Sequence, residues 1–135
     1  MTAMLNSNQL NQMSNTHWPY TEHSPMVVYN DNLKKLKITG TSFINEADVF
    51  YQPYIDSIYQ KLSDKEVITI EFHLTSFGPK TAKVFFKLFE NLKFFKMRNR
   101  SSKIIWKYNE GDEAIMEMGH AFSELFELDF ILEAN

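Results

Sequence analysis

The chain has 135 residues, 44% hydrophobic and 15% aromatic, enough to bury one sizeable core and too few for two. It has no cysteine, which excludes disulfides, thiolate metal sites and cysteine nucleophiles. The net charge of -3 hides a split: nine basic residues stand against one acid, Glu90, between Lys80 and Lys107, whereas from Glu110 onward there are eight acids and no Lys or Arg. Such a division either steers charged partners or marks two solvated helix faces.

Residues 1–24 are rich in Asn, Gln, Ser and Thr and poor in branched apolar side chains. They cannot bury enough surface to offset their ordering entropy, so a mobile tail is expected, with a single domain over 25–135. Trp18, Pro19 and Tyr20 offer the tail one place to dock on the domain. No secretory leader is visible and no apolar run reaches the roughly 18 residues of a membrane span, so a cytoplasmic protein is expected.

From Met26 the pattern becomes regular. Residues 26–29 form a short β-type run, Asn30-Asp31-Asn32 is turn-prone, and 33–39 alternate, with Leu36 and Ile38 on one side and Lys35 and Lys37 on the other. This reads as a hairpin ending at Gly40. Asn45 and Asp48 resemble an N-terminal capping pair. The helix after them repeats Tyr51, Tyr54, Ile55, Ile58 and Leu62 at spacings of three and four, with Pro53 predicting a kink or a restarted first turn.

Residues 67–74 make the strongest strand, with Thr75 to Gly78 expected to break it, and Pro79 suits the first position of a second helix over 79–95. Another strand covers 103–108. Gly111 and Asp112 open a third helix carrying Ile115, Met118, Phe122 and Leu125 inward, and 130–132 supply a last strand. The order β-β-α-β-α-β-α-β predicts one α/β domain: a mixed, mostly parallel five-stranded sheet covered by helices.

No catalytic pattern emerges. Gly40, Gly78, Gly111 and Gly119 are scattered, so there is no phosphate cradle, and His17, His23, His73 and His120 lack metal-ligand spacing. No cofactor or metal is expected, and the pI of 5.8 argues against nucleic acid. Asp112 and Glu113 oppose a helix dipole more readily than they serve acid–base chemistry.

One place stands out: the junction from Thr75 through Ser76, Phe77, Gly78, Pro79 and Lys80 to Thr81. It lies past the carboxyl end of the central strand, where partners of open α/β sheets usually bind. Three hydroxyls there meet a positive helix end, with Lys80 and Lys83 adjacent, so a phosphoryl group would be well received. The structural alternative is that Ser76 caps the helix and Thr81 fills its first turn.

Three stretches carry a resemblance: Gly40-Thr-Ser-Phe-Ile-Asn-Glu-Ala47 with Phe50-Tyr-Gln-Pro-Tyr-Ile-Asp56; Phe72-His-Leu-Thr-Ser-Phe77 running on to Lys83 and Val84; and Tyr108-Asn-Glu-Gly-Asp-Glu113 with Phe122-Ser-Glu-Leu125 and Phe130. Together they resemble the SiaC-type biofilm-regulation phosphoprotein family over about residues 26–133. The resemblance implies an anti-anti-sigma-like (STAS, SpoIIAA-like) fold and a non-enzymatic adaptor in a partner switch. A Ser/Thr kinase would phosphorylate a hydroxyl at the start of the second helix and a metal-dependent phosphatase would reverse it. The unphosphorylated form would activate a diguanylate cyclase, raising cyclic di-GMP and favouring biofilm. Aligning on Lys83 places Gly78 and Pro79 where the family carries an Asn and its acceptor Thr. Thr81 becomes the nearest substitute acceptor, with Ser76 and Thr75 behind it, and Phe77, Gly78, Pro79, Lys80 and Lys83 the expected partner-binding residues. Two alternatives stand beside this: a constitutive protein-binding module, and a small-ligand-binding domain.

Overall fold

Alternation of apolar and polar side chains is what builds the sheet. The computed structural model describes residues 15–18 as backbone and residues 23–135 in full. Its elements run β1 (Asn15–Trp18), β2 (Met26–Asn30), β3 (Lys35–Ser42), α1 (Ala47–Ser63), β4 (Thr69–Phe77), α2 (Pro79–Met97), β5 (Lys103–Tyr108), α3 (Glu113–Phe126) and β6 (Phe130–Ala134). The six strands lie side by side in chain order. β1, β2 and β3 pair antiparallel, and β3 through β6 pair parallel.

Register sets Leu36, Ile70, Ile104 and Phe130 in one row, and Ile38, Phe72, Trp106 and Leu132 in the next. Because the parallel strands advance across the sheet in sequence order, right-handed crossovers place α1, α2 and α3 on the same side. The core agrees: it joins those rows to Tyr51, Ile58 and Leu62 of α1, Phe85, Leu88, Phe89 and Leu92 of α2, and Ile115 and Phe122 of α3. Phe72 is its hub, with the rings of Phe85, Phe89 and Trp106 at 5.2, 5.6 and 5.4 Å. Such pairs contribute roughly 0.5–1.5 kcal/mol each beyond their buried area.

Among the described residues no helix covers the sheet's second side, which carries charged side chains around the buried Ile105. At its centre Glu71, only 3% exposed, receives Lys35 at 3.0 Å, Lys37 at 3.5 Å and Lys107 at 3.7 Å. The lysine stems shield the carboxylate there.

Several expectations need correction. The expected tail over 1–24 falls largely outside the described residues, but within it Asn15–Trp18 is a strand, because the open edge of β2 offers unpaired backbone groups. That strand makes the sheet six-stranded rather than five. β4 does not end at 74; it continues through Phe77. α1 is preceded by Glu46, not Asn45, and no side chain caps it. It also runs unbroken through Pro53; the carbonyl this proline leaves without a donor belongs to Val49, which is half exposed and open to water. α3 starts as expected, Asp112 Oδ1 accepting from the Ile115 N–H at 3.1 Å.

Candidate functional site

The junction between β4 and α2 is shaped by one extra residue. Gly40 pairs with Leu74, yet Thr41 pairs with Ser76, so Thr75 is a bulge in β4. The bulge reverses the alternation beyond it. Phe77 therefore turns toward the helices, its ring 5.6 Å from Phe85 and 6.3 Å from Trp106. Thr75 is exposed, its hydroxyl donating to the Gly40 carbonyl at 3.3 Å, and Ser76 is half-buried.

Ser76 does not cap α2. Gly78 holds that position in extended backbone, with no side-chain cap, and Pro79 begins the helix. The Gly78 N–H donates to the Ser42 carbonyl at 3.0 Å, tying the helix start to the end of β3. A Cβ on Gly78 would stand 3.0 Å from Phe43 Cδ1, so a side chain there would push the Phe43 ring off its seat over this turn.

Beneath the turn lies a buried relay of hydroxyls. Thr81 Oγ1 donates to the Ser42 carbonyl at 3.1 Å and lies 2.8 Å from Ser42 Oγ, which is 2.8 Å from Tyr51 Oη. Each hydroxyl has one proton, so the order is set: Tyr51 donates to Ser42 Oγ, Ser42 Oγ to Thr81 Oγ1, and Thr81 to the Ser42 carbonyl. Burial pushes the Tyr51 phenol far above its ordinary 10, so it stays protonated and able to donate. Thr81→Val keeps the shape and removes the last donor. We expect it to cost about 1–2 kcal/mol, read as a lower urea midpoint at unchanged m-value.

This relay decides how the expected acceptors differ. Thr81 is 1% exposed, and a phosphoryl group reaches it only if the first turn of α2 leaves β3. Thr75 and Ser76 need no such opening.

Above the turn the surface is different. Phe43, Ile44, Asn45, Gly78, Pro79, Lys80 and Thr81 line an open, mainly apolar pocket of about 290 Å³. Phe43 is itself 50% exposed. Lys80, Lys83 and Lys87 stand along the outer side of α2, with no ion pair among the described residues. Exposed acids stand on the other two helices: Asp48 and Asp64 at opposite ends of α1, and Glu113, Glu117 and Glu124 on α3. The structure thus brings Gly78, Pro79, Lys80 and Lys83 to one surface and turns Phe77 away from it. Sequence reading missed Ser42, Phe43 and Tyr51. One signal was available: Ser42 shares the inward parity of Leu36 and Ile38, and an inward hydroxyl needs a buried partner.

Elsewhere, His73 Nε2 lies 2.9 Å from Asn109 Oδ1. Among the described residues no group of three or more His, Asp or Glu is placed to hold a metal, and no helix is long and apolar enough to cross a membrane.

The family model for SiaC family regulatory phosphoproteins matches residues 18–135, the whole described domain including this junction. The chain belongs to the SiaC family of regulatory phosphoproteins. Among solved structures, it resembles a chain from the complex of the diguanylate cyclase SiaD with its activator SiaC from Pseudomonas aeruginosa, at 19% identity and TM-score 0.81 over 89% of this chain and 99% of that one. Apo-SiaC from the same organism gives 18% identity and TM-score 0.77 over 90% and 100%. No curated protein matches. At such identities the structural likeness establishes the fold, so the SiaC-like fold expected from the sequence is present.

Proposed function

We propose that this SiaC-family chain is a non-enzymatic cytoplasmic adaptor that binds and activates a diguanylate cyclase through the start of α2, and that phosphorylation of the junction switches this binding. The observation carrying the proposal is the pairing of an open apolar pocket beside Pro79 with three lysines along α2 that have no ion pair among the described residues. That surface fits an acidic partner with an apolar anchor, the anchor supplying affinity and the charges steering encounter. The cyclase is the partner class because SiaC occurs with SiaD in the complex this chain resembles.

In this reading a Ser/Thr kinase adds, and a metal-dependent phosphatase removes, a phosphoryl group within Thr75–Thr81. It would place roughly -1.5 to -2 charges where the acidic partner docks, repelling it. Thr75 and Ser76 are the accessible acceptors, and Thr81 follows only with opening of the helix start. The test is reconstitution with the cognate cyclase and kinase. Lys80→Glu/Lys83→Glu/Lys87→Glu is expected to weaken cyclase binding at least tenfold, and unchanged binding would overturn the docking surface.

A second reading has its own observation. Thr81 is sealed in the relay, and the alignment on Lys83 implies that Pro79 stands at the family's acceptor position, as suits a constitutive binding module. Phosphosite mapping separates the two: phosphate on Thr75 or Ser76 supports the switch, and none between Thr75 and Thr81 supports constitutive docking.

A further inference from the structure

A second concave site lies at the opposite end of the sheet. Lys65, Glu66 and Val67, leading into β4, and Arg98, Asn99, Arg100 and Ser101, leading into β5, line a cleft of about 400 Å³. β4 spans nine residues, which at about 3.3 Å each sets this cleft roughly 30 Å from the α2 junction. Neither the docking surface nor the hydroxyl relay reaches it.

Its charges are unspent. Lys65, Arg98 and Arg100 have no ion pair among the described residues, whereas Glu66 is shared with Lys34 at 3.8 Å. Counting the lining residues, three cations against one carboxylate leave two positive charges. That matches the roughly -1.5 to -2 of a phosphomonoester. The Arg98 guanidinium is braced over the Phe95 ring, 5.5 Å from its centroid, so part of the entropy of ordering a long side chain is already spent. Guanidinium groups offer phosphate paired N–H donors, and the Ser101 hydroxyl adds another. Val67, 70% exposed although it leads into a central strand, gives the cleft an apolar wall.

The geometry points to a binding site for a small phosphomonoester, its phosphoryl group held by Arg98, Arg100 and Lys65 and its organic part lying against Val67. A small molecule fits better than a polymer, because the cations gather around a cleft of ligand size rather than along a track. Among the described residues no aromatic side chain lines it for base stacking.

The test titrates the isotope-labelled full chain with AMP, inorganic phosphate and a single-stranded RNA 12-mer, following amide shifts. Saturable shifts confined to residues 65–67 and 98–101 are expected with AMP. Arg98→Gln and Arg100→Gln, both surface changes, should each weaken binding about tenfold, since hydrogen bonds to charged groups are worth roughly 1.5–3 kcal/mol. AMP binding at least threefold tighter than phosphate supports the ester, and equal affinity overturns the organic half of the assignment. Absent or non-saturable shifts, equal response in Arg98→Gln/Arg100→Gln, or binding of RNA alone would overturn the site. Cyclase binding at the α2 junction should be unchanged in both variants, so the two proposals fail independently.

Discussion

Gly119→Ala is expected to destabilise the domain by about 3 kcal/mol and lower Tm by roughly 10 °C, although glycine to alanine within a helix ordinarily gains about 1 kcal/mol. Gly119 is buried on the inner side of α3. A Cβ there would stand 2.4 Å from Trp106 Cδ1, 2.7 Å from Nε1 and 2.8 Å from Cγ. Trp106 cannot give way. It is 1% exposed, its Nε1–H donates to the Ile115 carbonyl at 2.8 Å, and the rings of Phe72, Phe122 and Phe130 surround it. Overpacking therefore outweighs helix propensity, and α3 must move off β5 or surrender the indole hydrogen bond. Thermal unfolding with near-ultraviolet circular dichroism of Trp106 measures both. A Tm at or above wild type would show that α3 has room the structure does not give it.

Glu71→Gln should cost about 2 kcal/mol at neutral pH. The substitution keeps the volume but leaves three ammonium groups around a neutral amide on the side of the sheet opposite the three helices. Breaking a fully buried pair typically costs 3–5 kcal/mol. Here Lys35, Lys37 and Lys107 retain 27%, 47% and 28% exposure and can swing into water, which lowers the expected figure. The pH dependence gives a second check. Burial pushes the Glu71 carboxyl up, but the Lys35 hydrogen bond and the ammonium charges of Lys35, Lys37 and Lys107 together win, holding it below the usual 4.5. A folded-state value below the unfolded one means the stabilisation is fully present above about 4.5 and is lost as pH falls through the lower folded value. The gap in urea midpoint between wild type and Glu71→Gln should therefore be widest at neutral pH and close in acid. High salt should narrow it too, by screening the lysines from one another. A gap independent of pH would mean that shape rather than charge holds this position.

Much of the architecture was legible from local patterns because each element carries its own period. Leu36 and Ile38 against Lys35 and Lys37 mark a strand with one wet side, and Phe85, Leu88, Phe89 and Leu92 mark a helix with one dry stripe. The spaced motifs around Phe50, Phe72 and Tyr108 carried the family, which the match over residues 18–135 bears out. The hairpin, the parallel strands and the cap at Asp112 followed from near-neighbour chemistry.

The candidate site was only half legible. The sequence placed it at the start of α2, because Pro79 at a helix opening and the preceding strand are local signals. It could not tell which hydroxyl water reaches. A bulge at Thr75 depends on the register of β4 against β3, 35 residues away, and it alone turns Phe77 inward. Thr81 is sealed by Ser42 and Tyr51, contributed by a different strand and a different helix.

What the sequence by itself determined is the succession of strands and helices from β2 onward and the family, since both rest on side-chain type and short-range spacing. What only the tertiary structure decided is accessibility: Thr81 sealed, Thr75 exposed, Glu71 ringed by lysines, and the cleft between Arg98 and Lys65 left open. Accessibility depends on contacts between residues far apart in the chain. No local period encodes them, because they exist only once the strands have chosen their register and the helices their side of the sheet.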